Sequence, residues 1–401
     1  MKNLKFTLLP ALVLIAFTAS LRAEFLYVSY GKGLLSFSID PNTGALTKLP
    51  GTPLLLPIGP ITLDHTGKLL YASTGGNVVS SGYSYGPYSA IHGYRIAGNG
   101  QLIPLPGSPY KVAGGYLAVD PYNRFLYVAD YGTYPNPGSV AVYRIEPNGS
   151  LKAVPGSPFL AGVGAYQIAV DPFGRFIYVV NFNSENTSVY QVLESGTLVP
   201  VPGSPFAGVT PYGSELLTND PIALVADPNG RFVYIANENL ANIASYSVAA
   251  NGGLNQLPGS PTPIAGVWYE NMAIDRFGRY LYVDHGTSGF NVFRINSVTG
   301  LPEPIQGIFV GDAASDGQLD NNPVGVTVDP TGKFVYEGNA SGLVNAGPMA
   351  IRGFKVGSTG ILTAVPGSPY YPLGNIGFGQ GDDDPLVIAT EGYPSSMVVA
   401  P

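Results

Sequence analysis

Three histidines, no cysteine, and loops crowded with Asp, Glu, Asn and Tyr bound the chemistry open to this 401-residue chain. The absence of cysteine removes thiolate nucleophiles, thiolate metal sites and disulfides together. His285, next to Asp284 in a loop, is a candidate general base. His65 falls in a turn and is expected to be solvated, and His92 enters a strand. Asn181, Asn237, Glu270, Asn271, Asn322 and Asn339 fall in or beside irregular segments, where amides and carboxylates can engage the hydroxyls of a small ligand while tyrosines stack on its ring. Asp312, Asp316 and Asp320, with Asn321 and Asn322, and the run Asp382 to Asp384 offer hard oxygens that could ligate calcium. Their spacing does not match an EF-hand loop, so no metal site and no firm cofactor is assigned. Gly82-Tyr-Ser-Tyr-Gly86 spells Gly-x-Ser-x-Gly inside a loop between strands and not at a strand-to-helix elbow, His-Glu-x-x-His and phosphate-cradling patterns are absent, and nucleophile-first mechanisms have no support.

The elements that must position these residues are written as one repeated sentence, clearest at Asp171-Pro-Phe-Gly-Arg-Phe-Ile-Tyr178. An apolar run ends at Asp-Pro, because proline donates no ladder hydrogen bond; glycine then supplies a turn position, and an apolar strand returns. Phe176 and Tyr178 point to one face of that strand and Ile177 and Val179 to the other, so both faces must be covered. The sentence recurs at Asp64, Asp120, Asp227, Asp275 and Asp329, and Phe25 to Val28 opens a seventh unit whose missing partner is Ser395 to Pro401. The strand tyrosines are 44 to 56 residues apart, a period that suits a four-stranded propeller blade. Each aspartate is expected to accept turn N–H groups, with the Lys or Arg four places on folding back over it.

A third strand such as Val140 to Ile145 and a short fourth strand follow in each unit. The fourth is expected to end in Pro-Gly-Ser-Pro or a variant, as at 106 to 109, with proline then glycine suiting a type II turn; one unit lacks the motif and reads Pro304-Ile-Gln-Gly-Ile308. The expected fold is therefore all-β: a seven-bladed propeller of four-stranded antiparallel blades, the first closed by the C-terminal strand. In a meander the fourth-to-first and second-to-third connections share one mouth of the channel, where a ligand is expected.

Residues 1–23 read as a secretory signal, with Lys2 and Lys5 before the apolar run Phe6 to Phe17, leaving 24–401 as one propeller domain in a secreted or periplasmic protein. Loss of Lys2, Lys5 and Arg22 would take the formal charge from −7 to −10, which disfavours nucleic acid and anionic membrane as partners. No further apolar run is long enough to span a bilayer, and a monomer is expected.

The blade pattern Asp-Pro-x-Gly-Arg-Phe-x-Tyr-Val, followed by an x-Val-x-x-Tyr-x-Ile strand, resembles over Phe25 to Pro401 the seven-bladed lactonase family typified by 6-phosphogluconolactonase and the carboxymuconate-lactonising enzymes; it is also similar to Tyr-Val-Thr-Asn-type propellers. Phe232-Val-Tyr-Ile-Ala-Asn-Glu238 is similar to the family's Tyr-x-x-Asn-Glu stretch, and this resemblance makes Glu238 an acid–base candidate. The family's inner-strand Pro-Arg-His falls on Pro221-Ile222-Ala223, a second inner-strand histidine on Ala273, and an arginine after proline on Val324. Apolar side chains there neither take a proton from water nor hold a phosphate. The resemblance thus implies an exported propeller that hydrolyses or binds a small sugar lactone or related uncharged ligand at the channel mouth. The alternative is a non-catalytic scaffold that presents its blades to another protein.

Overall fold

The computed structural model describes residues 24–30, 33–56, 59–74, 90–112, 115–208, 220–264, 271–285, 289–309, 321–341, 350–372 and 396–400. The expected signal at 1–23 lies outside them. Seven antiparallel sheets form a ring, and among the described residues there is no helix, hence none long and apolar enough to cross a membrane. Blade 1 joins Ser396–Ala400 to Glu24–Tyr30, Gly33–Ile39 and Leu46–Lys48. Blades 2 to 7 begin at the inner strands Ile61–Leu63, Tyr116–Val119, Ala165–Val170, Pro221–Ala226, Met272–Ile274 and Asn321–Val328.

Alternation sends one face of each blade to each neighbour. Phe176, Tyr178 and Val180 join a buried cluster with blade 5 residues such as Ile222 and Ile243, whereas Ile177 and Val179 join one with blade 3 residues such as Tyr127 and Val142. The core is thus a set of seams between sheets packed face to face.

The Phe-x-Tyr spacing has a specific use at these seams. The Tyr27 hydroxyl of blade 1 donates to the Gly100 carbonyl of blade 2 at 2.8 Å, Tyr71 to Gly149 at 2.8 Å, Tyr234 to Gly300 at 2.9 Å, and Tyr336 of blade 7 returns to Gly44 of blade 1 at 2.9 Å. Tyr127 and Tyr282 are as buried but make no such bond, so ring packing is the constant part of the clasp. Two residues earlier, the Phe25 ring lies where a Cβ on Gly100 would come within 2.5 Å, and Gly100 has φ +80°. Gly100→Ala therefore adds a clash to a backbone conformation that disfavours any side chain, and is expected to lower stability by roughly 1–3 kcal/mol in a thermal or urea melt.

The Asp turns are structural. The Asp171 carboxylate, fully buried, accepts the Phe173 and Arg175 N–H groups at 3.1 Å, and the half-exposed Arg175 guanidinium folds back to it at 2.8 Å. Arg124, Arg231 and Arg279 do the same for Asp120, Asp227 and Asp275. His65 is exposed in such a turn, but its ring is also 3.2 Å from the Val119 carbonyl of the next blade.

The Pro-Gly-Ser-Pro motif does not end the fourth strand; it interrupts it. In blade 2 the strand runs over Leu102–Pro104 and resumes at Tyr110–Lys111, both pieces pairing with Ala90–Ile96. The motif turns out of the ladder with Gly107 at φ +80°, and the Ser108 hydroxyl accepts the Gly93 N–H at 3.0 Å, replacing the carbonyl that the turn withdraws. Ser157, Ser204, Ser260 and Ser368 repeat the substitution. Blade 6, without the motif, has an unbroken outer strand, Pro302–Phe309, with a bulge opposite Val292 and Phe293.

Candidate active site at the upper mouth

The inner strands surround a channel of about 410 Å³, lined among others by Tyr116, Gln167, Leu224, Asn271, Met272 and Thr327. Among the described residues no further strand pairs with their inner edges, so peptide groups as well as side chains line it. We call the end carrying the fourth-to-first and second-to-third connections the upper mouth. At that end the inner strands of blades 4, 5 and 7 each carry a register shift, between Ala165 and Ile168, Pro221 and Ala223, and Pro323 and Gly325. Bulges of this kind re-aim side chains next to functional sites.

Glu238 lies just past the strand Phe232–Asn237, half-buried, where its N–H donates to the Asp220 carbonyl at 3.0 Å. Burial, and then the nearby Asp220 carboxylate, push its pKa above the ordinary carboxylate value. Asp220 holds φ at +42°, a strained left-handed position for a residue other than glycine, and the Asn239 side-chain amide donates to its carboxylate. Asp220 also raises the Tyr131 hydroxyl, though burial does more, so the three groups share one patch.

Around them stand aromatic rings from blades 3 and 4. Tyr116 and Tyr166 lie with centroids 4.7 Å apart and hydroxyls 3.2 Å apart. Tyr131 meets Tyr166 edge-on at 6.3 Å, Phe182 lies 6.4 Å from Tyr166, and the Tyr131 hydroxyl donates to Asn183 at 2.6 Å. Tyr166 is buried at the centre, and the others expose part of their faces. Gln167 bridges blades 4 and 5 by accepting the Leu224 N–H.

The asparagines divide by role. Asn181 is fully buried: its amide donates to Asn186 and Ser188 at 2.7 and 2.9 Å and accepts the Gly162 N–H at 3.1 Å, bracing two connections of blade 4. Asn237 likewise donates to Asn242 at 2.8 Å and is 1% exposed. Asn271 lines the channel, and its N–H is held at 2.7 Å by the buried carboxylate of Asp284. His285 ends the strand Tyr280–His285, and Asn322 and Asn339 lie on the inner and second strands of blade 7, but their side chains are outside the described residues, as is Glu270. Asp312, Asp316, Asp320 and Asp382 to Asp384 are outside them too. Among the described residues no three His, Cys, Asp or Glu are placed to hold a metal ion.

Sequence reading singled out Glu238 by resemblance and did not single out Asp220, Gln167 or the aromatic cluster. The one available signal was the density of tyrosine in second-to-third and fourth-to-first connections. It also missed Glu337 and Arg352, fully buried and paired at 3.4 Å between blades 6 and 7, where the matching pair of blade 3 is Val128 and Ala141. Where the family's inner-strand arginine would fall, Ile222 is 2% exposed and packed in the seam.

The profile of the family described as Lactonase, 7-bladed beta-propeller matches residues 25–157 and 139–316. Among solved structures, the chain is similar to the periplasmic gluconolactonase of Pseudomonas aeruginosa at 18% identity and TM-score 0.66, over 86% of this chain and 97% of the other. It is similar to a putative 6-phosphogluconolactonase of Bacteroides fragilis at 15% identity and TM-score 0.69, over 96% and 99%. A putative 6-phosphogluconolactonase of Bacteroides uniformis aligns at 18% identity and TM-score 0.65, over 87% and 96%. No curated protein matches. The profile match spans most of the chain, and at these identities the structural likenesses speak for the fold: this chain belongs to the seven-bladed β-propeller lactonase family.

Proposed function

We propose that the upper mouth binds a small sugar lactone without a phosphate and hydrolyses it, with Glu238 as general base, in an exported protein. The observation that supports this most is a half-buried carboxyl of raised pKa beside Asp220, whose charge also acts on the hydroxyl of Tyr131 in a cluster of partly exposed rings. Glu238 as carboxylate takes a proton from water; the water oxygen adds to the lactone carbonyl carbon, the ring C–O bond breaks, and the alkoxide leaves with a proton as the hydroxyl of the open acid. Tyr131 and Tyr116 offer faces for the apolar side of a sugar ring, while Asn183, Asn239 and the strand edges can meet its hydroxyls. The apolar residues Ile222, Ala223 and Ala273 where the family carries Arg and His favour an unphosphorylated substrate, and they also keep open the reading as a non-catalytic scaffold.

Turnover of a panel of aldonolactones tests the proposal. Glu238→Gln is expected to lower kcat by roughly 10²-fold or more, within the usual range for a lost general base. The base works ionised, so the rate rises with pH through the Glu238 pKa, above 4.5. Asp220→Asn removes one cause of the upward shift and is expected to move that limb to lower pH. No turnover and no thermal shift with any lactone would favour the scaffold.

A further inference from the structure

Below the level of Glu238 the inner strands carry a second set of polar groups. In each blade the second-strand residue two places after the buried tyrosine marks one level of the ring, and opposite it stand Tyr116 in blade 3, Asn271 in blade 6 and Gly325 in blade 7. In blade 4 two residues, Tyr166 and Gln167, share the place opposite Val180, because the inner strand bulges there. Tyr166 joins the aromatic cluster, whereas Gln167 lines the channel with its side-chain oxygen held by the Leu224 N–H. With that oxygen engaged, the group Gln167 offers a ligand is its NH2, a donor of two hydrogen bonds. Asn271 lines the same channel, and Asp284 fixes its backbone in both directions, accepting its N–H at 2.7 Å and donating an N–H to its carbonyl at 3.1 Å. The wall is open beside it. Among the described residues a Cβ on Gly325 would meet only the Asn271 side-chain nitrogen, at 3.9 Å, and no positive φ demands glycine there. One level further down the lining is small: Ala169, Val225, Ala273 and Thr327, each opposite a buried blade tyrosine. Leu224, which holds Gln167, pairs with Ile235, three residues before Glu238. At about 3.3 Å per residue the Gln167 level therefore lies roughly 10 Å below Glu238.

We infer that the channel holds a second sugar subsite at the level of Gln167 and Asn271, and that the ligand is a disaccharide lactone, with its lactone ring at Glu238 and its second ring in the channel. This rests on the reading of Glu238 as the base of a lactone-opening reaction and narrows it to longer substrates. A single pyranose is too short to touch both levels, whereas two linked rings span them. The two carboxamides and the peptide edges of the inner strands match the hydroxyls of the second ring, and the small side chains beneath let it approach those edges closely. The cavity of about 410 Å³ falls in the range of roughly 300–1,000 Å³ that encloses ligands larger than a monosaccharide.

The test is hydrolysis of cellobiono-δ-lactone and maltobiono-δ-lactone against D-glucono-δ-lactone by the full chain, read as ratios of kcat/KM. The better disaccharide lactone is expected to exceed gluconolactone by roughly fivefold or more, since binding energy from the remote ring is available to the reaction. Gly325→Leu fills the gap beside Asn271, and Gln167→Ala removes the NH2 donor; each is expected to erase most of that advantage. A general loss of stability or of catalytic geometry lowers both substrates and leaves the ratio alone, so the ratio reads the subsite even in a weakened variant. An advantage in the parent chain that falls in either variant supports the inference. A smaller advantage in the parent, or one that neither variant lowers, would overturn it, and Glu238-dependent opening of gluconolactone in that case leaves the lactonase reading standing. If no lactone is opened, calorimetric titration with cellobiose, maltose and glucose decides. Tighter disaccharide binding that falls in either variant keeps the subsite while the catalytic reading fails; disaccharide binding no tighter than glucose, or unmoved by both variants, overturns the subsite as well.

Discussion

A chain cut before Tyr393 is expected to fail to fold, or to aggregate, because the ring then has no clasp. The strand Ser396–Ala400 is the inner strand of blade 1 and pairs with Glu24–Tyr30 from Phe25 opposite Ala400 to Ser29 opposite Ser396. It also serves both neighbours. Val399 packs in the seam that contains Phe334 and Tyr336 of blade 7, and Ala400 in the seam that contains Ile61 and Leu70 of blade 2. Removing it strips the ladder from an apolar strand and uncovers two seams, one of them the closing seam of the ring. Burial of each aliphatic side chain is worth roughly 1.5–3 kcal/mol, and an exposed apolar edge invites pairing with other chains. The total rivals the roughly 5–15 kcal/mol by which an ordinary domain is stable. Size-exclusion chromatography and circular dichroism of the chain ending at Gly392 check it. A soluble monomer with an unchanged thermal midpoint would mean that this strand is not the clasp.

Arg352→Met should be the most damaging single substitution outside the clasp, costing roughly 3–5 kcal/mol, because it leaves the Glu337 carboxylate buried without its countercharge. Glu337 is fully buried, one of its oxygens has no hydrogen-bond partner, and the other meets Arg352 at 3.4 Å. Burial raises the Glu337 pKa and Arg352 pulls it down, so removing the arginine lets it rise further. A carboxyl whose folded pKa lies above its unfolded value contributes its stability at low pH and loses it as pH rises through the folded pKa. The penalty of Arg352→Met should therefore be smallest in acid and grow toward neutral pH. The double variant Glu337→Met with Arg352→Met removes both charges and is expected to recover most of the loss or to exceed the parent, since paired Val and Ala do the same duty at Val128 and Ala141 of blade 3. Urea unfolding of the four proteins across pH gives the coupling directly. A single-variant cost below about 1 kcal/mol, flat with pH, would show that the pair is solvated rather than buried.

Much of the fold was legible because it is periodic. Asp171, Gly174, Phe176 and Tyr178 recur in place, and each local pattern has a local cause: a carboxylate that accepts turn N–H groups, a positive φ, a strand apolar on both faces. Pro-Gly-Ser-Pro was legible as a turn, with its consequence misread. That Ser108 would replace a withdrawn carbonyl and let the outer strand resume depends on the facing third strand, a partner 15 residues away. The clasp between Tyr27 and Gly100 was likewise invisible, although both residues stand out in the sequence, because it joins different blades.

The site divides along the same line. Glu238 was singled out only by the resemblance of Phe232 to Glu238 to a family stretch; by itself the sequence determined a seven-fold all-β repeat, its closure by the C-terminal strand and the mouth at which irregular connections gather. Those properties follow from hydrogen-bonding and burial rules that act over a few residues and then repeat. Only the tertiary structure decided that Asn181 and Asn237 spend their amides on bracing connections, that Asp220 stands beside Glu238, and that Tyr116, Tyr131, Tyr166 and Phe182 form one cluster. These residues come from three blades and are brought together by the rotation from one blade to the next. Burial and electrostatic coupling depend on distances across that ring, and the ring exists only once all seven sheets have packed.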